Sequence, residues 1–261
     1  MTVGAGRVVF VLGRAPGPRS VLPAVVEGLR ERRFTVDCCP VGAAPSLMAT
    51  ADLVVGRSLS PEDAAGLAEW TAAGTRWCSP PPALAAAGDR LVVWRRLCAA
   101  GVDVPTGRVV CDAGELTARP AATPMVVKSA RGSRGRGVSL VGAGAQVSPE
   151  GAGPWLVQER VPGDGWDRKL YVIGSAVVGR LRRWPPLTPA DTHGRPLVVT
   201  ADLAAAASEA RAALGLCVCG VDVVSGPRGP VVVDVNGMPG FKGVPGVVGL
   251  LVEHLARHLD G

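Results

Sequence analysis

The first third of the chain alternates short apolar runs with segments of helical spacing. Helical spacing predicts helices from about Ser20 to Arg32, with Ser20 as the N-cap, and from Pro61 to Ala73. Three apolar runs are typical of buried strands: Arg7–Leu12, Phe34–Cys39 and Leu53–Val55. Because strands that alternate with helices favour a parallel sheet, residues 1–87 are predicted to form a small α/β subdomain.

Further along, the pattern changes to strands that follow one another directly. A helix over Asp89–Ala100 precedes this part, and helices over Thr200–Leu214 and about Val247–Leu259 come after most of it. Residues 142–154 and 184–196 lack a period and predict loops. The predicted strands are Met125–Lys128, Val138–Val141, Trp155–Glu159, Leu170–Ile173, Ala176–Leu181, Cys217–Val224 and Pro230–Val235.

Composition and charge narrow the classes of function. The formal charge is +6, but one Tyr and three Phe supply few stacking platforms, and the arginines are dispersed, so we expect no nucleic-acid partner. No apolar run reaches 18 residues, so we expect no membrane partner. Seven cysteines without a CxxC pair, and no visible secretory signal, indicate reduced thiols in a cytoplasmic protein.

Lysine is rare in this chain. Of the 28 basic residues other than His, only Lys128, Lys169 and Lys242 are lysines. A compact ammonium and a planar guanidinium recognise different groups, so these positions are candidates for specific contacts.

The first chemical segment is MVVKSARGSRGRGVSLV, residues 125–141. An apolar strand ends at Lys128, and a loop with Gly132, Gly135 and Gly137 leads to the next strand. Such glycines let backbone N–H groups approach phosphate oxygens. The alternative is an ordinary glycine-rich hairpin.

The second segment covers residues 155–183. A buried strand ends at Gln158-Glu159, and the returning strand carries Asp167 and Lys169 two residues apart, on one face. An acid and a base on one face suit a ribose hydroxyl and a phosphate. A salt bridge on a solvated face is the alternative.

The third segment covers residues 220–244. Asp222 and Asp234 fall in neighbouring apolar strands joined by a tight turn, and Asn236 shares a face with Asp234. Buried carboxylates need compensation, and two carboxylates with an amide oxygen suit Mg²⁺. The alternative is a pair of edge-strand carboxylates that face water.

In this order, the three segments resemble the ATP-grasp superfamily, and most closely its RimK-like, glutamate-ligase branch. The resemblance implies an α/β protein of the α+β ATP-grasp type. A small N-terminal parallel α/β subdomain, residues 1–87, would precede an ATP-grasp domain, residues 88–261. Two α+β subdomains of that domain, about 106–160 and about 161–261, would clasp ATP between their sheets.

The resemblance also implies roles for individual residues. ATP and Mg²⁺ or Mn²⁺ would be the cofactors. Catalytic roles fall to Lys169, Arg182 and Arg183, and metal binding to Asp222, Asp234 and Asn236. Arg90 stands where the family often has an ATP-contacting Lys. The other nucleotide contacts would be Lys128, Gly132, Ser133, Arg134, Gly135, Gly137, Gln158, Glu159, Arg160, Val161 and Asp167.

The implied activity is an ATP- and Mg-dependent carboxylate–amine ligase that works through an acyl phosphate. Its partners would be a small-molecule or peptide carboxylate and an amine acceptor, and the protein could pair as a homodimer. Two alternatives stay open on the same scaffold. One is a small-molecule kinase similar to the inositol-phosphate kinases, and the other is a nucleotide-binding protein without catalysis.

Overall fold

In the part of the chain that the structure describes, three sheets are surrounded by eight α-helices. The structure is a computed structural model that describes residues 6–69, 74–132, 136–185, 187–188, 191 and 194–260. Ser133, Arg134 and Gly135 of the predicted phosphate loop lie outside the described residues. Among the described helices, none combines the length and the apolar character that a membrane span needs.

The N-terminal sheet is parallel, with the strand order β2-β1-β3. This confirms the predicted parallel α/β unit. Its three α-helices begin at sequence signals: Pro is the first or second residue of each, and Ser60 forms a capping box with Asp63 at the start of α3. The elements are β1 (Arg7–Leu12), α1 (Leu22–Glu31), β2 (Thr35–Pro40), a 3₁₀ turn (Val41–Ala43), α2 (Ala44–Met48), β3 (Leu53–Arg57) and α3 (Pro61–Leu67).

The second sheet has four antiparallel strands in the order β4-β7-β5-β6. Asp89 caps the helix Arg90–Ala99, which precedes this sheet in the chain, by accepting from the N–H groups of Leu91 and Val92. The elements in this part are α4 (Pro81–Ala87), α5 (Arg90–Ala99), β4 (Gly107–Val110), α6 (Ala113–Thr117), β5 (Met125–Ser129), β6 (Val138–Val141) and β7 (Trp155–Glu159).

The third sheet has five antiparallel strands in the order β10-β9-β8-β11-β12. Helix α7 ends at Gly215, whose φ of 67° is the left-handed conformation that glycine adopts at low cost. The elements are β8 (Trp166–Ile173), β9 (Ala176–Arg183), β10 (Arg195–Leu197), α7 (Ala201–Leu214), β11 (Val218–Gly226), β12 (Gly229–Gly237) and α8 (Val247–Asp260).

Two of the apolar cores position the N-terminal and five-stranded sheets. One packs α1 and the C-terminal helix α8 on the N-terminal sheet and reaches Tyr171 and Ile173 of β8. The other packs α7 on the five-stranded sheet, with contributions from α4 and α5. The N-terminal sheet is thus fixed against the end of the strand that carries Lys169.

Most predicted elements agree with the structure, but strand β4 was not predicted. The helix predicted over Pro61–Ala73 ends at Leu67, and its residues 70–73 lie outside the described residues. Helices α2, α4 and α6 have five to seven residues and were not predicted, because so short a segment does not complete two helical periods. The cap of α1 is Val21, although Ser20 does accept from the Leu22 N–H. The predicted loop 184–196 ends in β10, which pairs with β9.

Candidate active site

A large cleft of about 2040 Å³ lies between the four-stranded and five-stranded sheets, with the N-terminal sheet at one side. All three lysines of the chain line it. So does every predicted site residue that the structure describes, namely Arg90, Lys128, Gly132, Gly137, Gln158, Glu159, Arg160, Val161, Asp167, Lys169, Arg182, Arg183, Asp222, Asp234 and Asn236.

Asp222 and Asp234 are directly opposite each other on β11 and β12. Residues that are directly opposite in an antiparallel pair share a face, and here that face is the cleft. Asn236 lies two residues beyond Asp234 and also lines the cleft. The three predicted oxygen ligands therefore lie on one face of one hairpin.

A bulge next to this pair changes the alternation of β12. The register shifts between Asp222 and Val223, so Val233 is an extra residue. As a result Val232 and Val235, three residues apart, both pack in the core under α7. Without the bulge they would lie on opposite faces.

Lys128 connects the two walls of the cleft. It is buried at the end of β5, and its Nζ donates to the Val233 carbonyl at 2.8 Å. A residue in a bulge is left out of the ladder, which explains why this carbonyl can face the opposite sheet. Burial lowers the pKa of Lys128, and the nearby Asp234 opposes that shift.

A charged network covers the face of β8, β9 and β11. The Lys169 Nζ lies 2.7 Å from Asp222 Oδ1, and the Arg182 Nη2 lies 3.0 Å from the same oxygen. Arg182 also pairs with Asp167. Strand register places these groups, since Asp167 is opposite Arg182 and Asp222 is opposite Lys169.

Burial shifts the pKa values of these carboxyl groups. Burial, and then the charge of Asp222, raises the pKa of Asp167 to about 6. The same two causes raise the pKa of Asp234. For Lys169, burial disfavours the charged form, but the pairing with Asp222 outweighs it and the pKa is raised. The negative charges of Asp167 and Asp234 are thus incompletely compensated, so a nearby cation would favour their ionised forms.

The oxygen atoms on this wall fit a hard divalent cation. Two opposed carboxylates and an amide oxygen are the ligands that Mg²⁺ accepts. Asp234 has no ion pair within 4.0 Å among the described residues, and burial, followed by the nearby carboxylate of Asp222, raises its pKa. No three His, Cys, Asp or Glu side chains of the described chain cluster as a complete metal site. Mg²⁺ would need further oxygen ligands, such as phosphate.

The glycine loop after β5 is anchored at both ends. Gly137 has a φ of 67°, and a Cβ there would lie 2.1 Å from Ser129 Oγ. Arg90 donates to the carbonyls of Ser129 at 3.0 Å and Arg136 at 3.3 Å. The side chain predicted to contact nucleotide is thus used to hold the loop, and its carbonyl partners gave no signal in the sequence.

The segment after β7 leaves a backbone donor for a ligand. Glu159 N–H and Arg160 N–H donate to Thr106 and Pro124 carbonyls. Among the described residues, the Val161 N–H has no protein acceptor. Gln158 is buried, and within the described part of the chain its Oε1 has no hydrogen-bond partner. This edge of the cleft can therefore hold a planar group by main-chain contacts.

The sequence analysis missed the contribution of the N-terminal sheet. Arg57 at the end of β3 and Arg14 just after β1 both line the cleft, as does Phe241. A signal was available for the arginines, because ligands bind at the carboxyl ends of parallel strands.

Sequence comparisons find a matching family model and similar proteins. A family model described as the RimK-like ATP-grasp domain matches residues 87–254. A probable alpha-L-glutamate ligase of Stenotrophomonas maltophilia (strain K279a) is 30% identical over 224 residues, which cover 78% of this chain and 77% of that protein.

Solved structures share the fold. The RimK domain ATP-grasp protein from Sphaerobacter thermophilus superposes with a TM-score of 0.72 at 22% identity, covering 98% of this chain and 100% of that one. The ATP-grasp ligase PsnB, solved with a minimal precursor, Mg and ADP, gives a TM-score of 0.66 at 20% identity over 97% of this chain and 98% of that one. At these identities the likeness concerns the fold.

Proposed function

The chain belongs to the RimK-like ATP-grasp family, and from that premise we propose that it joins a carboxylate to an amine through an acyl phosphate, with Mg-ATP bound in the cleft. Its relatives make it an ATP-dependent ligase that forms a C–N bond. The observation that carries the finer proposal is the Asp222–Asp234 pair on one wall, with the Lys128 ammonium reaching across from the other.

The four-stranded wall would bind the nucleotide. Lys128 and the N–H groups of the glycine loop would hold the phosphates, as cations and backbone donors do in other phosphate sites. The Val161 N–H is available to the adenine edge. Across the cleft, on β8 of the five-stranded wall, Asp167 Oδ1 is buried without a hydrogen-bond partner among the described residues, so it is an acceptor for a ribose hydroxyl.

The five-stranded wall would handle the developing charge. Asp222, Asp234 and Asn236 would hold Mg²⁺, which neutralises phosphate charge when bound. Lys169 and Arg182 flank Asp222, so their cations are aimed at the region where charge moves during phosphoryl transfer. Arg182 suits this role better than Arg183, because Arg183 is exposed at the end of β9.

The reaction needs no nucleophilic side chain. A carboxylate oxygen of the acid substrate attacks the γ-phosphorus, and ADP leaves. The amine then attacks the carbonyl carbon, inorganic phosphate leaves with the C–O bond pair, and the surplus amine proton goes to solvent. Positioning and charge neutralisation are what the protein supplies. The name of the relative supports glutamate as a substrate to test first.

An ADP-release screen tests the proposal. The chain is incubated with Mg-ATP and pairs of amino acids or short peptides, with glutamate in every first-round pair, and products are identified by mass spectrometry. We expect ADP, phosphate and an amide in equal amounts. A phosphorylated product without an amide would instead favour a kinase. Nucleotide binding without turnover across the panel would favour a non-catalytic protein.

A further inference from the structure

Two arginines stand side by side at the carboxyl ends of the N-terminal strands. Arg57 is the last residue of β3 and is in register with Leu12, the last residue of β1. Arg14 follows two residues after Leu12. Both arginines line the same cleft as Lys169 and Asp222.

The topology opens a crevice at this point. From β1 the chain passes to α1, which packs with α8 in the core on one face of the sheet. The strand that follows, β2, lies beside β1 on the side away from β3. From β3 the chain passes to α3, whose Leu67 packs in the core on the opposite face of the sheet. Loops that diverge from neighbouring parallel strands leave the crevice where α/β sheets bind ligands.

The backbone brings the two arginines together. The Gly13 N–H donates to the Arg57 carbonyl at 3.0 Å, and a Cβ on Gly13 would lie 2.2 Å from the Ser58 carbonyl oxygen. Only glycine permits this approach. Burial, and then the nearby charge of Arg14, lowers the pKa of Arg57.

Neither guanidinium is neutralised by the described part of the chain. Within it, no carboxylate lies within 4.0 Å of Arg14 or Arg57, and no hydrogen bond is made by either side chain. Other arginines of the chain do have carboxylate partners, such as Arg7 with Asp37 and Arg182 with Asp167. Two adjacent cations in a concave site attract an anion.

This crevice adjoins the five-stranded wall of the cleft. Tyr171 lies two residues along β8 from Lys169 and packs its ring 5.4 Å from that of Phe241. Both rings belong to the core that contains Val8, Phe10 and Val55 of the N-terminal strands. A substrate that extends from the network around Asp222 toward Arg57 would stay within one cavity.

We propose that Arg14 and Arg57 bind an anionic oxygen group of the substrate, a carboxylate or a phosphate, that is remote from the group that reacts. The guanidinium fork matches both groups by paired hydrogen bonds. The inference rests on the proposed ligase function and narrows its substrates to compounds with a second negative group. It selects glutamate over glutamine, for example, as the amino acid to be joined.

Binding of matched anions and neutral twins to the whole chain, measured by calorimetry with Mg-ADP present, tests the proposal. The probes are L-glutamate with L-glutamine, L-aspartate with L-asparagine, succinate with succinamide, and inorganic phosphate alone. We expect at least one anion to bind about tenfold or more tighter than its twin. Arg57→Gln and Arg14→Gln should each remove most of that preference. If inorganic phosphate is the only probe whose binding is weakened in Arg57→Gln and Arg14→Gln, the group recognised is a phosphate.

Arg95→Gln is the matched control, because Arg95 is exposed on α5 and lies outside the cleft. It should bind every probe as the wild-type chain does. Equal affinity for anions and twins, or a preference that survives in both cleft variants, would overturn the inference. Mg-ATP affinity is measured separately in each variant. A wild-type chain that does not bind Mg-ATP would count against the proposed function. The anion preference is evaluated independently of that result.

Discussion

The two walls of the cleft are both antiparallel sheets, yet they present different chemistry. The four-stranded wall offers a glycine loop, backbone groups and one buried cation, Lys128. The five-stranded wall offers a continuous charged network that includes Asp167, Lys169, Arg182 and Asp222. The four-stranded sheet thus supplies mainly backbone contacts, and the five-stranded sheet supplies most of the charged side chains. This division suits a nucleotide, which has a flat base at one end and phosphates at the other.

Replacing Asp234 should have the largest effect on catalysis. Asp234→Asn removes a charge that would hold Mg²⁺, and metal stabilisation worth several kcal/mol corresponds to a loss of on the order of 100-fold or more in kcat/KM. Because burial raises the pKa of this carboxyl, the neutral amide should not reduce the melting temperature. ADP release and thermal unfolding measure the two effects.

Asp164→Asn is the control for that prediction, since Asp164 is largely exposed and pairs with Arg168 outside the network. It should retain wild-type turnover. An Asp234→Asn variant with normal turnover and normal dependence on added Mg²⁺ would remove the five-stranded wall from the proposed metal site.

Lys128→Met should have the next largest effect, and it tests the four-stranded wall. Charged hydrogen bonds are worth about 1.5–3 kcal/mol, so kcat/KM should fall by roughly 10- to 100-fold, mostly through weaker Mg-ATP binding. Lys242→Met serves as the comparison, because Lys242 is an exposed lysine of the same cleft. Similar losses in both variants would show that general positive charge, and not the position of Lys128, matters.

The pH dependence of stability tests the effect of burying Asp167 on the five-stranded wall. Asp167 has a pKa of about 6, above its ordinary value of 3.8. Its contribution to stability is therefore present below pH 4 and lost as the pH rises through 6. Relative to Asp167→Asn, the wild-type chain should lose up to about 3 kcal/mol between pH 4 and pH 7.

Urea unfolding of both proteins at pH 4 and pH 7 measures this difference. Asp164→Asn is the control, because the side chain of Arg168 lowers the pKa of Asp164, so the contribution of Asp164 to stability is lost only as the pH falls below about 4. The difference between the wild-type chain and that variant should therefore stay nearly constant over this range. A difference between wild type and Asp167→Asn that does not change with pH would contradict the burial argument.

Gly137→Ala should have the smallest effect, on the four-stranded wall. The left-handed φ and the contact with Ser129 should reduce stability by about 1–3 kcal/mol and raise the KM for Mg-ATP. Gly142→Ala is matched, since it follows the next strand of the same sheet and a Cβ there meets nothing within 4 Å. Equal stability of the two variants would show that the loop tolerates a side chain at residue 137.

The sequence predicted the shared face of Asp222, Asp234 and Asn236, because alternation within a strand is a local property. It could not predict the bulge at Val233, since nothing in a run of valines marks which residue leaves the ladder. It also could not predict that Arg90 holds the glycine loop. The carbonyls that Arg90 contacts are 39 and 46 residues away, and every residue has a backbone carbonyl, so the residue types give no signal. Short helices such as α4 were missed for lack of a full period.

The carbonyl of Val233 illustrates a contact that side-chain scanning does not detect. Any substitution at residue 233 keeps the main-chain oxygen that Lys128 contacts, so an alanine scan of β12 would score this position as neutral. Deleting the residue would instead give an uninterrupted ladder in which Asp222 still faces Asp234, but without the acceptor. In this hairpin, the number of residues and not their identity determines whether the two sheets are joined across the cleft.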